Sequence, residues 1–148
     1  QIIGAWIAAR GKRDDFVLAS KIAGPTGNNA NGLEPYIRNG NDFSRAQIFE
    51  ACHASLKRLN TDYLDLYQLH WPERQANYFG KLGIDKLPER EQFTPFEEII
   101  DALSELVKQG KIRAYGLSNE TPWGAMRYLA AHERQPETAH CCIRCGRE

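Results

Sequence analysis

Residues 61–72 read Thr-Asp-Tyr-Leu-Asp-Leu-Tyr-Gln-Leu-His-Trp-Pro, and this stretch decides the fold. Aromatic and aliphatic residues dominate its middle and turn-forming residues bound it, which predicts a buried strand of about six to eight residues. His70 and Trp71 follow at the carboxyl end of that strand, where parallel α/β folds place their chemistry. A histidine there can serve as acid, base or hydrogen-bond donor near neutral pH, or it can merely cap the strand.

Composition and charge narrow the classes of function. The chain has 148 residues, about one ordinary domain, and its 42% hydrophobic content is sufficient for a core. Nineteen basic and nineteen acidic residues cancel, and the isoelectric point near 7.1 argues against a dedicated nucleic-acid surface. No apolar run approaches the roughly 18 residues of a membrane span. We therefore expect a globular protein with neither nucleic acid nor membrane as a partner.

The two ends of the chain are unusual. It begins without an initiator Met or a signal-peptide pattern, so we expect it to start inside a longer polypeptide. Cys141, Cys142 and Cys145 crowd the end too unevenly for a disulfide framework, which favours a reducing cytoplasm. His140 and these cysteines could be drawn as zinc ligands, but their spacing is poor for one tetrahedral ion, and we expect no metal. A further strand is due here, yet the pattern does not continue, so residues 136–148 are expected to form an atypical tail.

The residues before the decisive stretch predict a helix, a strand and a second helix. The strand, at residues 16–21, ends in Lys21, which is either a solvated cap or a functional cation. A long loop follows over residues 22–43. Ser44 and Gln47 then form a capping-box pattern for the second helix. The predicted inner face of that helix comprises Phe49, Cys52, Leu56 and Leu59.

The residues after the decisive stretch predict a long loop and a strongly periodic helix. The loop, over residues 71–93, carries Trp71, Tyr78 and Phe79. These aromatic side chains could line a pocket for an apolar ligand, or they could pin the loop to the protein. Residues 94–97 combine a cap, a proline and a glutamate, which marks the start of the helix. Its apolar face comprises Phe96, Ile99, Ile100, Leu103, Leu106 and Val107.

A third strand, over residues 112–117, delivers Ser118 and Asn119 to its carboxyl end. Short polar side chains between a strand and a helix can bind a ligand amide or phosphate, or they can simply cap the turn. Thr121 and Pro122 begin the last helix. The spacing of its apolar residues predicts an inner face of Trp123, Met126 and Leu129 or Ala130.

Helices and strands thus alternate strictly, and buried strands in such alternation form a parallel sheet with right-handed crossovers. The sequence contains no glycine-rich loop of the dinucleotide or P-loop kind. Three strands make part of a (β/α)₈ or TIM barrel, which needs roughly 250 residues. The predicted fold class is therefore α/β, a partial (β/α)₈ barrel with about three parallel strands. Its open sheet edges would favour self-association.

Three segments resemble the aldo-keto reductases, and most closely their Tas-like bacterial branch. They are Leu-Ala-Ser-Lys at residues 18–21, Gly-Lys-Ile-Arg-Ala-Tyr-Gly-Leu-Ser-Asn at residues 110–119, and the run at residues 56–72 that contains the decisive stretch. The resemblance covers about residues 1–135. It implies the central part of a (β/α)₈ barrel, followed by the tail at residues 136–148.

The resemblance implies an enzyme that reduces aldehydes and ketones with NADPH, and whose substrate is a small carbonyl compound. Lys21 and His70 match the lysine and histidine of the family's catalytic Asp-Tyr-Lys-His tetrad. Ser118 and Asn119 match the pair that holds the nicotinamide carboxamide, and Trp71 matches the substrate pocket. In this scheme the lysine ammonium eases proton loss from the tyrosine, and His70 orients the substrate carbonyl.

The chain also departs from the family pattern. None of its six tyrosines stands in the context of the family's proton donor, and the family's aspartate has no match. Glu120 occupies a position where many members carry an aromatic residue. We therefore expect a central fragment of a reductase that has little or no activity alone. A non-catalytic binding or regulatory module of the same fold is the alternative.

Overall fold

Helices and strands alternate along the chain in its computed structural model, which describes residues 1–24, 42–74, 76, 93–134 and the backbone of 141–145. The described helices are Ile2–Arg10 (α1), Arg45–Leu59 (α2), Phe96–Lys108 (α3) and Pro122–Glu133 (α4), with a short 3₁₀ helix at Arg13–Asp15. The strands are Ala19–Ile22 (β1), Leu64–Leu69 (β2), Ile112–Glu120 (β3) and Cys141–Cys145 (β4). No helix in these ranges is both long enough and apolar enough to cross a membrane.

The strands form one parallel sheet in the order β1-β2-β3-β4, which confirms the predicted α/β class. Ser20 lies beside Tyr67, and Tyr67 lies beside Tyr115, so the first three strands run in register. Parallel strands in register bring their carboxyl ends to the same side of the sheet. We call the end at which β1, β2 and β3 finish the carboxyl edge, and the opposite end the amino edge.

The fourth strand corrects a sequence prediction. We expected the residues after 135 to leave the alternating pattern, yet the backbone of Cys141–Cys145 pairs with β3 as a parallel strand, with Cys141 beside Tyr115. The physical reason is that an uncovered strand edge presents N–H and C=O groups that an extended segment can pair. Cysteine also behaves as a small hydrophobic residue in such a segment, and we weighed only its thiol chemistry. The division of the chain at residue 135 remains a prediction.

The described helices pack on one face of the sheet, which we call the helix face. Ser20 Oγ of β1 donates to Ser55 Oγ of α2 at 3.2 Å. The Tyr115 hydroxyl of β3 is 2.7 Å from His132 Nδ1 of α4. Tyr67, between these two strands, is completely buried. The side chains buried at or below 1% exposure include Ile22, Phe43, Ile48, Cys52, Leu64, Ile99, Ile100, Leu103, Leu106 and Ile112.

The predicted inner faces of the helices are correct for α3 and wrong for α4. Along α3 every predicted residue is buried except Val107, which is half-buried. In α4, Trp123 and Met126 are instead 55% and 65% exposed. The buried face comprises Gly124, Ala125, Tyr128 and Ala131. The small residues let α4 approach α3 closely, and Tyr128 packs edge-on against the Phe96 ring with centroids 4.6 Å apart.

Several element boundaries also differ from the prediction. Ser44 precedes α2 as expected but makes no capping hydrogen bond, because its Oγ donates to Asp42 Oδ1 at 2.5 Å. Pro95 is the N-cap residue of α3, which begins at Phe96, one position later than the sequence pattern indicated. β1 spans Ala19–Ile22 rather than residues 16–21, and the 3₁₀ helix that precedes it ends at Asp15.

A charged cluster closes the amino edge of the sheet. Arg13 Nη2 donates to Asp65 Oδ2 at 2.7 Å, Arg113 Nη1 donates to Asp65 Oδ1 at 3.0 Å, and the Leu18 N–H donates to Asp65 Oδ2 at 2.8 Å. The two guanidinium carbons lie 4.0 and 4.2 Å from the centroid of the Tyr63 ring. One carboxylate therefore ties the start of β1 to β2 and β3.

The cluster predicts how stability depends on pH. Partial burial alone would raise the pKa of Asp65, but the Leu18 N–H and the guanidinium groups of Arg13 and Arg113 hold it below its usual value of 3.8. A carboxyl with a depressed folded-state pKa stabilises the protein above its unfolded-state pKa, and that contribution is lost as pH falls through the folded-state value.

We therefore expect the gap in unfolding free energy between the wild type and Asp65→Asn to be largest near neutral pH and to narrow below pH 3.8. Urea unfolding across the acidic range measures it. A gap that stays constant with pH would show that the Asp65 charge contributes nothing.

The core predicts a second stability effect. Leu103 is 1% exposed within the apolar face of α3, so Leu103→Ala should lower the free energy of unfolding by about 2–5 kcal/mol through lost burial and a residual cavity. Met126→Ala is the matched control, because that side chain is 65% exposed and its truncation should cost less than about 0.5 kcal/mol. Equal losses in the two variants would contradict this packing.

Candidate functional site

Lys21, His70 and Ser118 come together at the carboxyl edge, on one face of the sheet. Lys21 lies beside Gln68, and Gln68 lies beside Gly116. His70 and Ser118 each follow two residues later, and residues two apart along extended chain share a face. We call this the inner face, since it is opposite the face that the helices cover. Three of the residues selected from sequence are thus neighbours in space.

Gln68 is an inner-face residue that the sequence analysis did not single out. It lies directly beside Lys21, two residues before His70, and it is only 9% exposed despite its polar side chain. A polar side chain between the apolar residues at the carboxyl end of β2 was the available signal. We passed over it because a single glutamine has no spacing pattern that points to chemistry.

The electrostatics of His70 reflect its position beside Lys21. Burial lowers the pKa of His70 from its usual 6.5, and the Lys21 charge lowers it further. The backbone N–H of His70 donates to the Ile22 carbonyl oxygen at 3.2 Å, which ties the residue to the end of β1. The imidazole is therefore neutral at pH 7, with one ring nitrogen carrying a proton and the other not.

Asn119 links the ends of β2 and β3. Its Nδ2 donates to the His70 carbonyl oxygen at 2.8 Å and to Ser118 Oγ at 3.2 Å. Its backbone is left-handed, with φ at 55°, which is uncommon for a residue other than glycine. From the sequence, the short polar side chains here could bind a ligand or simply cap the turn. Thr121 does cap the turn, because its Oγ1 accepts from the Gly124 N–H at 3.1 Å at the start of α4.

Trp71 packs between the ends of β1 and β2. Its ring centroid is 4.5 Å from that of His70. A Cβ atom added to Gly24 would lie 2.4 Å from Trp71 Nε1, so the indole rests on the backbone that follows β1. Of the loop aromatics proposed as a pocket lining, Tyr78 and Phe79 lie outside the described residues.

A buried ion pair that the sequence analysis missed joins Arg74 to Glu120. Arg74 Nη1 donates to Glu120 Oε2 at 3.1 Å, and Nη2 donates to Glu120 Oε1. The two side chains are only 7% and 3% exposed. Glu120 was noted as a departure from the family pattern. Its partner was not found because Arg74 lies in a loop that has no periodicity.

Glu73 fastens the connection between β2 and α3. The Thr94 N–H donates to Glu73 Oε2, and Thr94 Oγ1 donates to Glu73 Oε1, both at 3.1 Å. Burial raises the pKa of Glu73, while the hydrogen bonds from Thr94 oppose that shift. The carboxylate thereby holds the two ends of the long loop together.

No tyrosine in the described ranges stands beside Lys21. Tyr67 and Tyr115 belong to the helix face and Tyr63 to the amino edge, while Tyr128 is buried on α4. The described side chains also contain no group of three or more His, Cys, Asp or Glu residues that could hold a metal ion. The cysteine-rich tail lies outside that search, so the expectation of no metal there remains a prediction.

Comparisons with known proteins agree with the resemblance. The model of the Aldo/keto reductase family matches residues 1–141. The chain is 48% identical over 130 residues to "Protein tas" of Escherichia coli (strain K12), across 86% of this chain and 35% of that protein. It is 40% identical over 119 residues to an aldo-keto reductase of Babesia bovis, across 76% of this chain and 40% of that protein.

A solved structure gives the same result. The crystal structure of an aldo/keto reductase from Klebsiella pneumoniae in complex with NADP and acetate has a TM-score of 0.54 and 31% identity, and the match covers 90% of this chain and 32% of that one. The predicted partial (β/α)₈ barrel is thus confirmed. The chain spans between 35% and 40% of the length of the two curated relatives named above.

The proximity of Lys21 and His70 yields a testable prediction. Removing a neighbouring positive charge makes an imidazole easier to protonate, so Lys21→Met should raise the pKa of His70. NMR titration of the histidine ring signals measures it, with a His70→Asn variant for assignment. Lys12→Met, at the amino edge, is the matched control and should leave the His70 titration unchanged. An equal shift in both variants, or none in Lys21→Met, would contradict the arrangement.

Proposed function

Because the chain belongs to the aldo/keto reductase family, we propose that its residues serve the NADPH-dependent reduction of aldehydes and ketones to alcohols. The observation that carries this proposal is the convergence of Lys21, His70 and the Ser118–Asn119 pair at one edge of three adjacent parallel strands. The activity belongs to the longer protein of which this barrel region is a part. The roles of the individual site residues are likewise part of this proposal.

The inner-face residues suit the demands of carbonyl reduction. When bound, the nicotinamide cofactor supplies a hydride to the carbonyl carbon, and the carbonyl oxygen must then gain a proton. A neutral His70 can donate its ring N–H to that oxygen and so orient it. The ammonium of Lys21 would lower the pKa of a hydroxyl proton donor placed beside it. Trp71 packs at an angle against His70 and offers an apolar wall for the substrate.

Ser118 and Asn119 fit a carboxamide ligand. Asn119 Nδ2 is engaged by the His70 carbonyl oxygen, which fixes the orientation of the side-chain amide. Among the described residues, no group donates to Asn119 Oδ1, so this oxygen can accept from an amide N–H. The Ser118 hydroxyl accepts from Asn119 and can donate its own proton. Together they offer the acceptor and donor that complement the two ends of a carboxamide.

This chain alone should turn over little or no substrate. The proposed chemistry needs a hydroxyl proton donor near Lys21, and the tyrosines in the described ranges lie elsewhere. The same observation favours a second candidate, a non-catalytic nucleotide-binding or regulatory module. We further propose a cytoplasmic location, a small carbonyl compound as partner, and self-association through open sheet edges.

NADPH should stabilise the chain if the nicotinamide site is formed. A ligand at one hundred times its dissociation constant adds about 2.7 kcal/mol to the free energy of unfolding. Urea or thermal unfolding with and without NADPH measures this. Ser118→Ala should reduce the shift, because it removes a proposed cofactor contact. Ser20→Ala is the matched control on the helix face and should retain it.

The outcomes separate the two candidates. A shift with NADPH but no turnover on a panel of aldehydes fits either a reductase region or a binding module, and a stable protein partner would favour the module. Cooperative unfolding that NADPH leaves unchanged would contradict the proposed cofactor site. Turnover at an enzyme-like rate would show that the proton donor lies within this chain.

A further inference from the structure

We propose that the buried Arg74–Glu120 ion pair is a positioning device. It holds the Asn119 side chain against the His70 carbonyl oxygen, and so orients the Ser118–Asn119 pair that is proposed to bind the nicotinamide carboxamide. The inference rests on the function proposed above. Neither residue touches the cofactor or substrate in this proposal. They act through the two segments that the pair joins, which are the residues after β2 and the residues at the end of β3.

The first support is that the pair is held by several hydrogen bonds, although burying its two charges is energetically costly. Besides its two bonds to Glu120, Arg74 Nη2 donates to Thr121 Oγ1 at 2.8 Å. The Thr121 N–H donates to Glu120 Oε1 at 2.6 Å. A buried ion pair seldom adds stability beyond what apolar side chains of the same volume would provide, because both charges lose their hydration. The presence of this pair is therefore better explained by the positions it fixes in the two segments than by a gain in stability.

The second support is the surface that encloses the pair. The Arg74 guanidinium carbon lies 4.9 Å from the centroid of Trp123 and 5.6 Å from that of Phe96. A Cβ atom added to Gly124 would lie 2.2 Å from both Arg74 Nη2 and Glu120 Oε1. The aromatic rings and the glycine backbone therefore confine the ion pair to one arrangement. This also explains why Trp123 is on the outer side of α4, since its ring covers the arginine.

The third support is the position of the pair along the chain. Glu120 follows Asn119 directly, and Arg74 lies four residues after His70. Two noncovalent contacts therefore join the end of β2 to the end of β3. One is the hydrogen bond from Asn119 Nδ2 to the His70 carbonyl oxygen, and the other is the Arg74–Glu120 ion pair. The left-handed backbone of Asn119 is a conformation that asparagine adopts more readily than most other residues. The ion pair fixes the residue that directly follows Asn119, and so limits how far the Asn119 side chain can move.

Glu120→Gln tests the proposal, because it removes the charge while keeping nearly the same shape. We expect the Asn119 side-chain amide signals of the isotope-labelled chain to shift and to exchange faster, since the bond to the His70 carbonyl loosens. We also expect NADPH, measured by fluorescence titration, to bind about five- to tenfold more weakly, as for coupled neighbouring residues.

Asp65→Asn is the matched control. It also neutralises a largely buried, arginine-paired carboxylate, but at the amino edge. It should lower the stability without moving the Asn119 signals or the NADPH affinity. Unaltered Asn119 signals in Glu120→Gln would overturn the proposal, and so would an equal disturbance in both variants, which would indicate general destabilisation.

Arg74→Lys provides a second route if Glu120→Gln does not fold. It keeps the positive charge but loses the paired donors, so we expect a smaller change of the same Asn119 signals, and unaltered signals would again overturn the proposal. If the wild-type chain has no measurable NADPH affinity, the proposed cofactor site fails in this chain. The Asn119 signals still decide whether the ion pair holds that side chain.

Discussion

The site depends on the in-register parallel pairing of β1, β2 and β3. Ser20, Tyr67 and Tyr115 lie side by side, which sets Lys21 beside Gln68. His70 and Ser118 then lie on the same face, two residues closer to the carboxyl ends of β2 and β3. Because strand side chains alternate with a period of two, a slip of one residue in any pairing would move that strand's polar residues to the helix face. The buried tyrosines exclude such a slip, since they would then face away from the helices. Packing on one face thereby specifies chemistry on the other.

The two ends of the sheet use charge in different ways. At the amino edge, Asp65 is shared by the largely buried Arg13 and by Arg113, which is 61% exposed, so water screens part of that network. At the carboxyl edge, both Arg74 and Glu120 are shielded, and their attraction is correspondingly stronger and more dependent on exact placement. A partly solvated network suits an end that must only stay closed. A dry ion pair suits an end at which positions of individual atoms matter.

Local sequence signals predicted the first three strands, the apolar face of α3 and the position of Lys21, His70 and Ser118 at the strand ends, because each depends on periodicity or strand order. The wrong face for α4 followed from weighing Trp123 and Met126 by hydrophobicity, when the small residues Gly124 and Ala125 permit the closer approach. β4 and the Arg74–Glu120 pair were missed for a shared reason. Both depend on contacts with residues that are distant in the chain, and no local sequence pattern indicates such contacts.

Gly124 has a consequence for how this region can vary. Its missing side chain is the space that the two charged groups occupy, since a Cβ atom there would meet both of them. A methyl group at this position would therefore push the two charged groups out of their present contact unless smaller side chains stood at positions 74 and 120. Position 124 is thus coupled both to position 120, four residues earlier, and to position 74, which lies far from it in sequence.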